Sequence, residues 1–194
     1  VETDTFDLAA WDALGEHRHQ DGARAHHEQA LRESVKIPDD LSVVVDFGNG
    51  VGRVTADVLH AAGCDVETLN AQRDGRFPGR PSEPTATNCK TACAVVEAIG
   101  ADIGIVHDGD ADRMMAIDER GRFVSGDALL ALFARRVAEA GERVAVPVDT
   151  SLLVADALDS VGATLTYTPG GGAYCAAATT GDNVVGVAAT GGAG

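Results

Sequence analysis

The pattern of hydrophobic and polar positions changes at about residue 40. Before that point the chain is polar and charged, with one helix predicted over residues 26–36. After it, short β-branched apolar runs alternate with stretches of helical periodicity. The run at 42–47 (SVVVDF) is typical of a strand that is buried on both faces of a sheet. The pattern predicts strands over 42–47, 64–69, 102–107, 114–118, 122–124, 143–148, 164–168 and 184–187, and helices over 51–62, 85–99, 127–140 and 151–161.

Strands that alternate with helices of this length predict βαβ units and mainly parallel sheets. We therefore predict an α/β fold, in which a three-layer α/β/α domain with a mixed, mainly parallel sheet precedes a partial second domain of the same type. The pattern restarts near Gly141, so we place the first domain at 41–140 and the second at 141–194. Residues 1–40 are expected to be a helical remnant of a preceding domain. The second domain is expected to be truncated at Gly194.

Charge and composition narrow the choice of partners and compartment. Fifteen Lys and Arg stand against 30 Asp and Glu, so the formal net charge is −15. This balance disfavours binding to nucleic acid and to anionic membranes, because both require clustered positive charge. No apolar run approaches the roughly 20 residues of a membrane span, and we expect a cytoplasmic protein with reduced cysteines. The acidity suggests a salt-rich, haloarchaeal cytoplasm, although an ordinary acidic protein fits equally well.

Three carboxylates alternate directly after the third predicted strand, at Asp108, Asp110 and Asp112. In parallel α/β sheets, ligands gather at the carboxyl ends of the strands. Carboxylates this close repel one another, and a hard cation that prefers oxygen ligands, such as Mg²⁺, removes the repulsion. We therefore predict a magnesium site, with Gly109 supplying the bend that lets the side chains converge. Arg113 has a forked guanidinium suited to a phosphoryl group beside the metal. A simple acidic turn is the alternative.

Other interpretations of these loops stay open. An EF-hand would place Asp108 first and Glu119 twelfth, but Arg113 stands where that loop needs Gly. The Asp-x-Asp nucleophile of haloacid-dehalogenase-type phosphatases also follows a strand. The turn at 48–52 (GNGVG) is a near-match to a dinucleotide-binding loop, with Arg53 in place of the third glycine, and a structural tight turn is favoured.

A set of motifs in order resembles the α-D-phosphohexomutases, the phosphoglucomutase/phosphomannomutase family, over roughly residues 40–190. Residues 108–113 (DGDADR) resemble the magnesium loop of that family, in its second domain. Further matches in order and spacing are 46–52 (DFGNGVG), 74–78 (DGRFP) with Pro84, 101–105 (ADIGI) and 121–127 (GRFVSGD). The resemblance therefore covers the second domain and part of the third.

The resemblance implies a magnesium-dependent isomerase of carbohydrate metabolism, which moves a phosphoryl group within a hexose phosphate by way of a phosphoserine. Asp108, Asp110 and Asp112 would hold the metal, Arg113 would steady the phosphoryl group, and Gly171 would lie near the substrate. The family's catalytic serine loop, its sugar-choosing Gly-Glu-x-Ser-Gly loop and its fourth domain have no match, and no serine adjoins residues 108–113 in the sequence. We expect a phosphohexomutase fragment that is inactive alone. A non-catalytic remnant or pseudoenzyme and an Asp-nucleophile phosphatase are the alternatives.

Overall fold

The computed structural model describes residues 8–179 and 184–186. In chain order the elements are α1 (Ala23–Ser34), β1 (Ser42–Asp46), α2 (Arg53–Ala62), β2 (Asp65–Leu69), α3 (Lys90–Ile99), β3 (Ile103–His107), β4 (Met114–Ile117), β5 (Phe123–Val124), α4 (Gly126–Val137), β6 (Arg143–Pro147), α5 (Leu152–Asp159), β7 (Thr164–Thr168), α6 (Gly172–Ala178) and β8 (Val184–Gly186). The predicted order is confirmed, except that α6 was not predicted. The predicted ends of the last strand and of the second domain lie outside the described residues.

The first sheet has the strand order β2-β1-β3-β4-β5. Strand β1 pairs in parallel with β2 and β3, whereas β4 runs antiparallel to both β3 and β5. The three parallel strands therefore end at one edge of the sheet. Strand β4 begins at that same edge, where Met114 pairs with His107. The turn after β1, the loop after β2 and the β3–β4 connection consequently meet there.

Helices cover both faces of this sheet, so the first unit has three layers. Val43 and Val45 of β1 pack with α2 on one face, and Val44 packs with α3 on the other. Each of these valines is almost fully buried, and burial of such a side chain contributes about 1.5–3 kcal/mol. The unbroken valine run in the sequence is thus explained by helices on both sides of the strand.

The second sheet is parallel, with the order β7-β6-β8. Helix α4 packs onto this sheet: Leu130 and Ala134 share one core with Val144 of β6 and Leu158 of α5. The sequence prediction had placed this helix in the first domain, because the pattern visibly restarts only after it. By its packing α4 belongs with the second sheet, and the core changes at about residue 125.

Helix α1 lies on the surface and contains no buried residue. It contacts α2 through an ion pair between Arg24 and Asp57. None of the helices in the described part of the chain is long and apolar enough to cross a membrane.

Candidate metal centre

The β3–β4 loop, residues 108–113, brings three carboxylates together. We call it the metal loop, because it is the candidate site for a cation. Oxygen atoms of Asp108, Asp110 and Asp112 lie within 4.8 Å of one another, and no other such group of His, Cys, Asp or Glu is present among the described residues. Asp108 is buried, with 1% of its surface exposed, whereas the other two are exposed. An all-oxygen donor set of this kind fits a hard divalent cation such as Mg²⁺.

The chain bends over residues 109–112, so Gly109 lies in the bend as the sequence suggested. The left-handed backbone, however, is at Ala111, with a φ of 62°, and not at Gly109. Alanine in this left-handed region carries a steric cost that glycine would not. Gly109 is needed for space instead, because an added Cβ would lie 2.9 Å from the ring of Phe77 and 2.8 Å from the hydroxyl of Ser82.

Ser82 contacts the loop directly, although it is remote from it in sequence. Its Oγ accepts a hydrogen bond from the backbone N–H of Gly109 at 3.1 Å. The sequence showed no serine beside residues 108–113, and only the fold brings this one next to them. Its role in the structure is to hold the backbone of the loop.

Arg113 is held by acidic residues of two loops, and besides the hydrogen bonds below its Nε lies 3.5 Å from a carboxylate oxygen of Asp112. Its Nε donates to Asp108 at 2.9 Å and its backbone N–H donates to the same carboxylate at 3.2 Å. Its Nη1 donates to both carboxylate oxygens of Glu83, at 2.7 and 2.6 Å. Arg113, the residue predicted to contact a phosphoryl group, thus lies at the metal loop, and most N–H groups of its guanidinium already donate to carboxylates. The sequence had not singled out Glu83.

The pKa values of Asp108 and Asp112 are shifted in opposite directions. Burial raises the pKa of Asp108, but the backbone N–H and the guanidinium of Arg113 outweigh it and hold that pKa below its usual value. The pKa of Asp112 is raised, chiefly by the negative charge of Asp110. The cluster therefore carries repulsion that a cation would relieve, and this observation supports the fit of the three residues to Mg²⁺.

A buried arginine, Arg80, connects the ends of two strands next to the metal loop. Arg80 donates from Nε to Asp46 at the end of β1 (2.7 Å) and from Nη2 to the carbonyl oxygen of His107 at the end of β3 (2.5 Å). Its Nη1 donates to the carbonyls of Pro81 and Ser82. Sequence reasoning missed this residue. The available signal was Asp46 itself, because an acid that ends a buried strand needs a cationic partner.

His107 is a buried neutral histidine that links α2 to the metal loop. Its Nδ1 lies 3.3 Å from the carbonyl oxygen of Arg113, which can only accept, so Nδ1 carries the proton. Its Nε2 then accepts from the hydroxyl of Thr55 at 2.8 Å. Burial lowers the pKa of the imidazole, in keeping with a structural role in the neutral form.

The turn after β1 packs against the metal loop. The backbone N–H of Val51 donates to the carbonyl of Gly109 at 3.1 Å, and a Cβ at Gly50 would lie 2.3 Å from that oxygen. The space in front of the turn is thus filled by this protein's own backbone. This arrangement favours the structural turn over the dinucleotide-binding alternative.

The structure does not form an EF-hand. Strand β3 precedes the acidic loop where a helix is required, and β4 lies within the supposed ligand segment. Glu119 is in the exposed turn before β5, paired with Arg120 at 3.4 Å, and is not part of the carboxylate cluster.

Gly171 lies elsewhere, in the second unit. It follows β7 as the residue before α6, and the nearest atom to an added Cβ would belong to Tyr174 at 3.7 Å. Gly171 is thus not one of the residues that meet at the metal loop. Its contact with substrate remains a prediction.

Comparison with known proteins identifies relatives of this arrangement. Residues 24–121 match the sequence model of phosphoglucomutase/phosphomannomutase, alpha/beta/alpha domain II. That match begins inside α1, in the segment predicted to belong to a preceding domain. A probable phosphoglucosamine mutase of Methanococcoides burtonii is 45% identical over 177 residues, which are 91% of this chain and 40% of the relative. The chain therefore spans well under half the length of that relative.

Solved structures agree on the fold. A phosphoglucomutase/phosphomannomutase family protein from Burkholderia thailandensis superposes with a TM-score of 0.76 at 25% identity, covering 87% of this chain and 38% of that one. Aspergillus fumigatus N-acetylphosphoglucosamine mutase, solved in complex with GlcNAc-6P and magnesium, is 22% identical with a TM-score of 0.53 over 86% of this chain and 38% of its own. The latter likeness concerns the fold alone. The chain therefore belongs to the phosphoglucomutase/phosphomannomutase family, and residues 24–121 correspond to its α/β/α domain II.

Proposed function

We propose that this chain carries the magnesium-binding part of a phosphohexomutase, an isomerase that moves a phosphoryl group within a hexose phosphate. The observation that carries the proposal is the convergence of three aspartate oxygens within 4.8 Å, on the same loop as Arg113. Glucosamine phosphate is the proposed substrate, because three relatives at 44–45% identity are named probable phosphoglucosamine mutases. Mg²⁺ on this loop would offset charge on the transferring phosphoryl group.

The side chains of the loop have distinct proposed roles. Asp108, Asp110 and Asp112 would hold the cation. The Nη2 of Arg113 donates to no acceptor among the residues described here, so it is available to a phosphoryl oxygen in the geometry that guanidinium groups favour.

The same geometry disfavours the Asp-nucleophile phosphatase. Asp108 would be the attacking residue, yet it is 1% exposed and Arg113 donates to both of its oxygens. A nucleophile needs an open, in-line approach to phosphorus, which a side chain this buried does not offer. A buried ligand needs only one oxygen turned toward the cation.

Calorimetric titration with Mg²⁺ tests the metal assignment. Asp110 is exposed, so Asp110→Ala should fold and should lose most of the binding. Glu119→Ala removes the same charge from an exposed turn outside the cluster, and it should bind like the parent protein. Equal binding by Asp110→Ala and the parent would overturn the proposal.

We also propose that this chain has no mutase turnover alone. Transfer between two hydroxyls requires an acceptor that holds the phosphoryl group in between, and no segment here matches the family's serine loop. Ser82 is the serine at the metal loop, but its oxygen accepts from Gly109 and serves the backbone. Phosphorus NMR of glucosamine 6-phosphate with this chain and Mg²⁺ should show no new sugar phosphate. Sustained conversion that is lost in Asp108→Ala would contradict the proposal.

A cytoplasmic location and a salt-rich cell remain proposals, and the second rests on the net charge of −15. The relatives described above include a methanogen and do not bear on a haloarchaeal source. Screening should relieve self-repulsion, so the melting temperature should rise between low and molar KCl. An unchanged melting temperature would count against the salt-rich cell.

A further inference from the structure

Glu83 and Asp108 compete for the same guanidinium. Glu83 lies in the loop between β2 and α3, and both of its oxygens accept from Nη1 of Arg113. Asp108 receives one hydrogen bond from the guanidinium of Arg113, from Nε at 2.9 Å, and that Nε also lies 3.5 Å from Asp112. Arginine and carboxylate groups usually pair through two parallel donors. In this protein Glu83 holds Nη1 and thereby fixes the plane of the guanidinium, which could otherwise turn Nη2 toward Asp108.

Asp108 has little bonding capacity to spare. Its carboxylate is almost completely buried and already accepts from the backbone N–H and the Nε of Arg113. If the guanidinium were released from Glu83, it could turn so that Nε and Nη2 both faced Asp108. Each added donor would compete with a cation for the same oxygens, and Nη2 would no longer be free for a phosphoryl group.

We propose that Glu83 is a positioning residue for the metal loop. It holds the guanidinium of Arg113 so that Asp108 keeps an oxygen for Mg²⁺ and Nη2 stays free. Glu83 acts through Arg113 and is not one of the three clustered carboxylates. This inference rests on the proposed function and adds a residue from another loop, remote in sequence, to the same site.

Calorimetric titration of this chain with Mg²⁺ tests whether Glu83 affects the affinity by positioning Arg113 or only by its negative charge. Glu83→Gln removes the carboxylate and should weaken binding about tenfold, the usual scale for a partner that orients a metal ligand. Glu83→Asp keeps the charge but shortens the reach, and it should also bind more weakly. Glu119→Gln, the matched loss of charge outside the cluster, should bind like the parent. Parent-like binding by Glu83→Asp would overturn the proposal.

A double-mutant cycle tests whether Glu83 acts through Arg113. In an Arg113→Met background, Glu83→Gln should change the affinity for Mg²⁺ by less than about twofold, since the intermediary is gone. Fully additive effects would overturn the proposal. If urea titration shows that Arg113→Met does not fold, the comparison of Glu83→Asp with the parent chain still decides.

The outcomes distinguish this inference from the proposed function. If the parent chain binds no Mg²⁺, the proposed function fails and this inference fails with it. If the parent binds Mg²⁺ and both Glu83 variants bind it as tightly as the parent does, only the positioning role is overturned.

Discussion

Arg80 donates a hydrogen bond to the carbonyl oxygen of His107, the residue directly before the first aspartate of the metal loop. The same guanidinium pairs with Asp46 at 2.7 Å, and both side chains are almost fully buried. Arg80 thereby joins the ends of two neighbouring parallel strands beneath the site. The position of the metal loop thus depends on a buried ion pair outside the three clustered aspartates.

Replacing Arg80 by methionine should be strongly destabilising. The substitution leaves Asp46 buried without its cation, and loss of one partner of a buried pair costs about 3–5 kcal/mol. Urea unfolding gives the measurement. The control is Arg76→Met, which removes an exposed pair with Asp74 and should cost less than about 1 kcal/mol. Similar losses for both variants would show that the buried pair does not support the fold.

Substitution of Gly50 by alanine should disturb the metal loop through a backbone contact. The new Cβ would lie 2.3 Å from the carbonyl oxygen of Gly109, so one of the two backbones must move. We expect a loss of about 1–3 kcal/mol of stability, typical of overpacking, together with weaker Mg²⁺ binding. Gly75→Ala is the matched control, because nothing lies within 4 Å of that position. Parent-like stability and Mg²⁺ affinity for Gly50→Ala would refute the predicted overlap.

Ala111 should tolerate glycine better than valine. Its φ of 62° costs an L-residue about 1–2 kcal/mol, while glycine loses about 0.5–1 kcal/mol through greater freedom in the unfolded chain. Ala111→Gly should therefore leave the free energy of unfolding unchanged or raise it by up to about 1 kcal/mol. Ala111→Val should lower it by about 1–3 kcal/mol. The reverse order of stabilities in a urea titration would show that Ala111 does not adopt the left-handed backbone conformation.

Asp112→Asn should change stability and metal affinity in opposite directions. Because the negative charge of Asp110 raises the pKa of Asp112, the ionised residue destabilises the metal-free fold. The substitution should raise the melting temperature in EDTA and weaken Mg²⁺ binding.

The gain in melting temperature should depend on pH. A raised folded-state pKa means that repulsion is full above that pKa and is relieved by protonation below it. The difference between the variant and the parent should be largest near neutral pH and should shrink as the pH falls toward 3.8, the ordinary value. Glu119→Gln serves as control. A gain that is independent of pH would show that repulsion at Asp112 is not its source.

The sequence by itself determined the α/β class, the three clustered aspartates and, apart from α6, the order of strands and helices. Each of these is a local property. Strand and helix periods are set by neighbours along the chain, and alternate residues in one short loop cannot lie far apart. The β-branched run of β1 even indicated that helices cover both faces of the sheet.

Only the tertiary structure decided which distant residues complete the site. Arg80 and Glu83 come from a Gly/Pro-rich loop whose path has no periodicity to read, and they reach the metal loop because parallel strands end at one edge. The left-handed backbone at Ala111 and the packing of α4 on the second sheet could not be predicted from the neighbouring sequence either. Alanine has no intrinsic preference for a positive φ, and an amphipathic helix shows that it has a partner without showing which one. These features follow from the packing of the whole chain, which selects one arrangement among several that the local sequence allows.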